Sequence, residues 1–147
     1  MLNLDDLTYS DIIDLPAGVA LDLLIAVEFL GWKYVPAGTE VDLPYGGGAV
    51  KQLTADRGIT ISDAFITPTS IRFMLPKFSQ DIESAWPILL KMVELSCGVV
   101  TIEVYKNCTY IKYFMGYTWF HEKTAPLAIC KSALLFLQQR RIFEKNE

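Results

Sequence analysis

One segment constrains the chain more than any other: residues 78–95, Phe-Ser-Gln-Asp-Ile-Glu-Ser-Ala-Trp-Pro-Ile-Leu-Leu-Lys-Met-Val-Glu-Leu. Ser79 stands where a hydroxyl can accept from N–H groups two or three residues on, with Asp81 and Glu83 near the positive end of the helix dipole. Ile82, Trp86, Leu89, Leu90 and Val93 then recur at helical spacing as one apolar stripe, which demands a partner layer. Pro87 removes a hydrogen bond and presses on the carbonyl of Glu83, so a kink near Trp86 or a restart at Pro87 is expected.

The partner layer follows at once. Val100, Ile102 and Val104 alternate with Thr101, Glu103 and Tyr105, Lys106-Asn107 turns the chain, and 109–115 is again rich in branched and aromatic residues. That pattern predicts a β-hairpin covered on at least one face. After it, Thr124 caps a last helix with Pro126 in its first turn. Leu127, Cys130, Ala133, Leu134 and Leu137 fall on one side of that helix, and Lys131 and Gln138 on the other.

Upstream, Thr8 or Ser10 can cap a short turn, and Pro16 can open a helix over 16–30, with Gly31 where a left-handed C-terminal residue is wanted. Residues 35–77 differ: prolines 36, 44, 68 and 76 and the run Gly46-Gly47-Gly48 leave room only for short strands, at 58–62 and 70–74. Two arginines at 140 and 141 read as complements to the dipole at the end of the last helix.

At 147 residues and 52% hydrophobic content, the chain suits a single domain with a real core, carrying a loop-rich insertion at about 35–77. A net charge of −4 and the lack of any Lys/Arg block remove the footprint of a duplex-binding protein. The start lacks a secretory pattern, no apolar run spans a bilayer, and Cys97, Cys108 and Cys130 show no CxxC spacing. A reduced, cytosolic protein is expected, with no metal site, no cofactor and no membrane segment.

Three landmarks carry a family resemblance: LPAGVALDLLIAVEFLGWKY at 15–34, FSQDIESAWPILLKMVE at 78–94 and TAPLAICKSALLFL at 124–137. Together they resemble the phage ABA sandwich domain family of small phage and prophage proteins, and the AWPI tetrapeptide also looks like the related NinX-type phage proteins. The resemblance implies an α+β fold, a small antiparallel β-sheet flanked by helices in a layered α/β/α sandwich. It supplies no mechanism.

Candidate functional residues sit in two stretches, each with a plainer reading beside it. Tyr45, Gly46, Gly47, Gly48 and Lys51 form a glycine-rich segment ending in lysine, but the spacing is not that of a P-loop, so a surface loop closing over a partner is the simpler reading. Tyr117, Trp119, His121 and Lys123 form an aromatic and basic turn able to stack a ring. His121 is the single histidine, and nothing in the sequence supplies the partner that acid/base work needs. Trp32 and Trp86 read as core residues and Cys130 as a small core thiol. The expectation is a non-enzymatic accessory protein that binds a host or phage protein, with a small-ligand or nucleotide-binding protein as the alternative.

Overall fold

The last helix organises what surrounds it. Thr124 accepts from the Leu127 N–H at 3.4 Å and a proline occupies the first turn, so α4 (Ala125–Lys145) begins where its cap predicts. The computed structural model describes residues 2–35, 64–72, 74–96, 99–113 and 120–146. The chain divides into two units, Met1–Leu30 with Pro76–Glu147, and Gly31–Leu75.

The first unit holds a short turn at Leu4–Asp6, α1 (Tyr9–Asp14), α2 (Val19–Leu24) running into a π-helical turn at Ile25–Phe29, α3 (Ile82–Leu95), α4, and a sheet. In the second, β1 (Lys33–Val35), β2 (Ala64–Ile66) and β3 (Ile71–Arg72) pair antiparallel in that order. The sheet of the first unit is β4 (Val100–Val104), β5 (Thr109–Tyr113) and β6 (Phe120–Glu122), also antiparallel. The fold class is therefore α+β, and within the first unit the helices and the small antiparallel sheet β4–β6 are layered. The hairpin expected at 100–115 is present, with Tyr105 N–H donating to the Cys108 carbonyl at 2.8 Å across the turn. Of the two strands expected in the insertion, the second is β3 and that at 58–62 lies outside the described residues.

α4 packs against α3, α1, the π-helical turn, β5 and β6, which leaves it no solvent face in its middle. All nine residues from Ala128 to Phe136 are buried, Lys131 included at 3% exposure. The expected polar face is thus corrected: neighbours lie on every side, and Lys131 meets them with an ion pair to Glu122 of β6 at 2.8 Å and a hydrogen bond to the Ile13 carbonyl at the end of α1. Burial raises the Glu122 carboxyl, but bonds from the Lys131 ammonium and the Lys123 N–H outweigh it and hold the group below its ordinary range.

α3 is one continuous helix with Pro87 inside it, so the expected restart is absent. Its buried residues are Ala85, Ile88, Leu89 and Met92, while Ile82, Trp86 and Leu90 are exposed, Trp86 by 50%. Trp86 as a core residue is therefore corrected. Positions 82, 86 and 90 and positions 85, 88, 89 and 92 are all apolar, and the second set, which includes the small Ala85, is the one buried where α3 packs on α4. Trp32 is half-buried in the second unit, its ring 6.2 Å from Phe65 and under the Arg72 guanidinium at 5.3 Å.

Ser79 is not the cap of α3 either. The cap is Asp81, which makes no side-chain bond to the helix backbone. Ser79 is fully buried; its hydroxyl accepts from Gly18 N–H at 2.9 Å, and its own N–H donates to Asp22 Oδ1 at 2.7 Å. This pair ties the start of α2 to the segment before α3 and fixes the helix start at Gly18, whose φ is 154°, so Pro16 precedes the helix instead of opening it. At the far end, Gly31 takes the left-handed conformation expected of it, φ 71°. Lys91 of α3 donates to the Phe29 carbonyl at 2.7 Å, a cation placed on the negative end of the π-helical turn.

Burial holds the Asp22 carboxyl above its ordinary value, against the opposing bonds from Ser79. The folded state therefore binds this proton more tightly than the unfolded state, and the contribution of Asp22 to stability falls as pH rises through the ordinary aspartate range toward neutrality. Asp22→Asn, which keeps the acceptor for Ser79, should remove that slope with little loss at neutral pH. Asp22→Ala strands a buried N–H and should cost about 1–3 kcal/mol in urea unfolding. Lys131→Ala leaves Glu122 and the Ile13 carbonyl without their donor and should cost about 3 kcal/mol or more by the same measurement.

Candidate functional site

Strand periodicity sorts the residues of the β4–β6 sheet into two faces. Thr109, Ile111, Tyr113 and Phe120 turn inward and are buried against α4. Tyr113 is fixed there by a hydroxyl bond to Gln139 at 3.0 Å and an edge-on contact with Phe136, and burial pushes its phenol up to about 12. The residues between them point the other way, away from α4.

That outward face carries the polar and aromatic side chains of the hairpin. Register pairs Glu103 with Tyr110, and Tyr110 with His121, so the three form one row across the strands. Tyr105 lies two residues beyond Glu103 on the same face, and Cys108 two before Tyr110. The Tyr105 and Tyr110 rings meet at 88° with centroids 5.9 Å apart, and the His121 ring leans on Tyr110 at 5.7 Å from the β6 side. Tyr105 donates its hydroxyl to Glu103 Oε2 at 2.9 Å. That bond, and the carboxylate charge behind it, hold the Tyr105 phenol above its ordinary value. Hydrogen bonding to the Cys108 side chain does the same for Tyr110. Both rings stay neutral through the physiological range.

Two depressions flank this row. One, of about 490 Å³, is an open concavity lined by Glu103, Tyr105, Cys108 and Tyr110. The other, of about 500 Å³, lies between α1 and the β6 end of the sheet, where Tyr9 and Ile13 face Phe120, His121 and Lys123. Cys108 borders both. Its thiol is half-buried, whereas Cys130 is sealed in α4 and burial drives its thiol far above the ordinary range, which leaves it inert.

Of the residues singled out from the sequence, His121 stands on the outward face of β6 and Lys123 follows it at the rim of the second depression. Both are exposed. Tyr45, Gly46, Gly47, Gly48, Lys51, Tyr117 and Trp119 lie outside the described residues. Sequence reading did not single out Tyr9, Glu103, Tyr105, Cys108 or Tyr110. The signal was in the hairpin itself: with the inward set fixed by Ile102 and Ile111, alternation sends Glu103, Tyr105 and Tyr110 to one face.

The profile of the phage ABA sandwich domain matches residues 23–134, well over half of the chain. No curated protein matches the chain, and neither does any solved structure. No helix among the described residues is long and apolar enough to cross a membrane.

Adjacent residues of β6 should separate the two faces cleanly. Phe120→Ala removes a buried ring and is expected to cost about 3–5 kcal/mol, while His121→Ala on the outward face should cost under about 1 kcal/mol. Urea unfolding of the two variants checks the assignment.

Proposed function

Because this chain belongs to the phage ABA sandwich domain family, we propose that it is a small phage or prophage accessory protein of the bacterial cytoplasm that acts without catalysis, by binding a host or phage protein through the outward face of β4–β6. The observation that carries this reading is the row Glu103–Tyr110–His121 with Tyr105 beside it. Rigid aromatic side chains with polar tips contribute much contact area for little lost conformational entropy, and such residues are favoured at interfaces. They stand on strands whose other face is anchored to α4, so the surface is preorganised. The glycine-rich segment with Tyr45, Gly46, Gly47, Gly48 and Lys51, and the turn with Tyr117 and Trp119, would supply further contacts.

A small-ligand reading has one observation of its own. The depression bordered by Tyr9, His121 and Lys123 has the volume of a ligand pocket, about 500 Å³, and offers rings and a cation to a nucleotide-like anion. Thermal melting with millimolar nucleotides tests it, since a ligand of the native state raises the melting temperature by mass action.

Affinity capture from bacteria expressing the tagged, folded chain is expected to recover a specific protein with the native sequence and to lose it with the Tyr105→Ser/Tyr110→Ser double variant. Both substitutions lie on the exposed side of the sheet, so the variant should melt within a few degrees of the parent. Recovery of the bait alone overturns the reading, as does capture indifferent to both tyrosines.

A further inference from the structure

The corner between Tyr105, Tyr110 and Glu103 has a more definite chemistry than a general contact surface. We infer that it is a binding site for an organic cation, and that in the cell it receives an arginine or lysine side chain of the bound protein. The second half rests on the protein-binding reading above; the first does not.

Three features meet in one place. The two rings stand at 88° with centroids 5.9 Å apart, so they form adjoining walls, and a group in the angle lies against the electron-rich face of at least one ring and close to both. The Glu103 carboxylate closes the corner. Its bond to the Tyr105 hydroxyl uses one of roughly four acceptor positions, leaving capacity for an N–H donor from outside. The concavity these residues line with Cys108, about 490 Å³, has room for a guanidinium or a methylated ammonium with part of its stem.

The same features select against other ligands. A carboxylate at the wall repels anions, so a phosphate or nucleotide is disfavoured here whatever the second depression takes. A neutral ring could stack but would leave Glu103 unanswered. Two basic residues stand near the row: Lys112 is opposite Thr101, one outward row away from Glu103, and Lys106 is in the turn. His121 supports Tyr110 from the β6 side, opposite Tyr105, and so holds the shared wall upright. The raised phenols keep both rings neutral, as a cation–π wall needs no charge of its own.

The test is a titration of the whole chain, followed by amide chemical shifts, with N-acetyl-arginine amide, tetramethylammonium and the uncharged N-acetyl-citrulline amide. Saturable shifts centred on residues 103–110 are expected with the two cations and not with the citrulline compound. Affinity should fall about tenfold in Tyr110→Leu and about threefold or more in Glu103→Gln, which keeps the shape of the corner and removes its charge. No saturable shift with either cation overturns the inference, and so does equal binding of the uncharged analogue. The two readings fail separately. Protein capture that depends on the tyrosines without any cation binding leaves an interaction face and no cation site, whereas cation binding without a captured protein leaves the site and removes the partner.

Discussion

A lysine at 3% exposure sets the terms for the rest of the first unit. Lys131 lies in the middle of a helix with a sheet on one side and helices on the others, where an unpaired charge would cost several kcal/mol on the order expected for buried ions. Its two partners come from different layers, Glu122 from the last strand and the Ile13 carbonyl from the end of α1. One nitrogen therefore reports on the position of three elements at once. If the sheet slid along α4, or α1 rotated away, the charge would lose a partner with no water to replace it. Apolar packing around α4 supplies most of the stabilisation, and the ion pair makes one arrangement of that packing far better than its neighbours.

A similar division of labour holds at the other end of the unit. Asp22, Ser79 and Gly18 form a relay around the buried Ser79 in which a carboxylate accepts from a backbone N–H and a hydroxyl accepts from another. The residues are far apart in sequence, so their contact closes a long loop, and each donor is one that would otherwise be stranded. Glu28 extends the pattern by accepting from the Leu4 N–H and from Arg141, which also reaches Asp5. The N-terminal turn is thereby fastened to the C-terminal helix by charge-assisted bonds, so Arg141 serves as a cross-link, and the basic residue in the last turn of α4, where a cation complements the dipole, is Lys145.

What could be read in the sequence was whatever local chemistry fixes. The Thr8 and Thr124 caps, the two-residue period of 100–113 and the left-handed Gly31 depend on near neighbours, and each is where the residues say. Readings that depended on distant partners fared differently. Ser79 has the credentials of a helix cap, but a buried carboxylate and a backbone N–H 57 and 61 residues away won its backbone and side chain. Trp86 sits on an apolar stripe, yet α3 offers two such stripes and periodicity alone does not choose between them. Within the candidate site, His121 stood out as the single histidine, and Lys123 as its basic neighbour. The tyrosines beside them looked like ordinary strand formers, because the face a strand residue occupies is decided by what covers the opposite side.

The π-helical turn at Ile25–Phe29 has a geometric role that its shortness conceals. Its closing bond runs from Leu30 N–H to the Ile25 carbonyl, five residues back, so the helix carries one residue more than a regular turn would hold. Each residue of an α-helix advances the side chains by about 100°, and an added one changes the phase of everything after it relative to everything before. Upstream of the turn Asp22 is aimed at Ser79; in the second half of the turn itself Glu28 is aimed at Leu4 and Arg141, and the Phe29 carbonyl at Lys91. The extra residue works as a vernier, letting one short helix satisfy two sets of fixed partners whose directions a single uninterrupted pitch would not match.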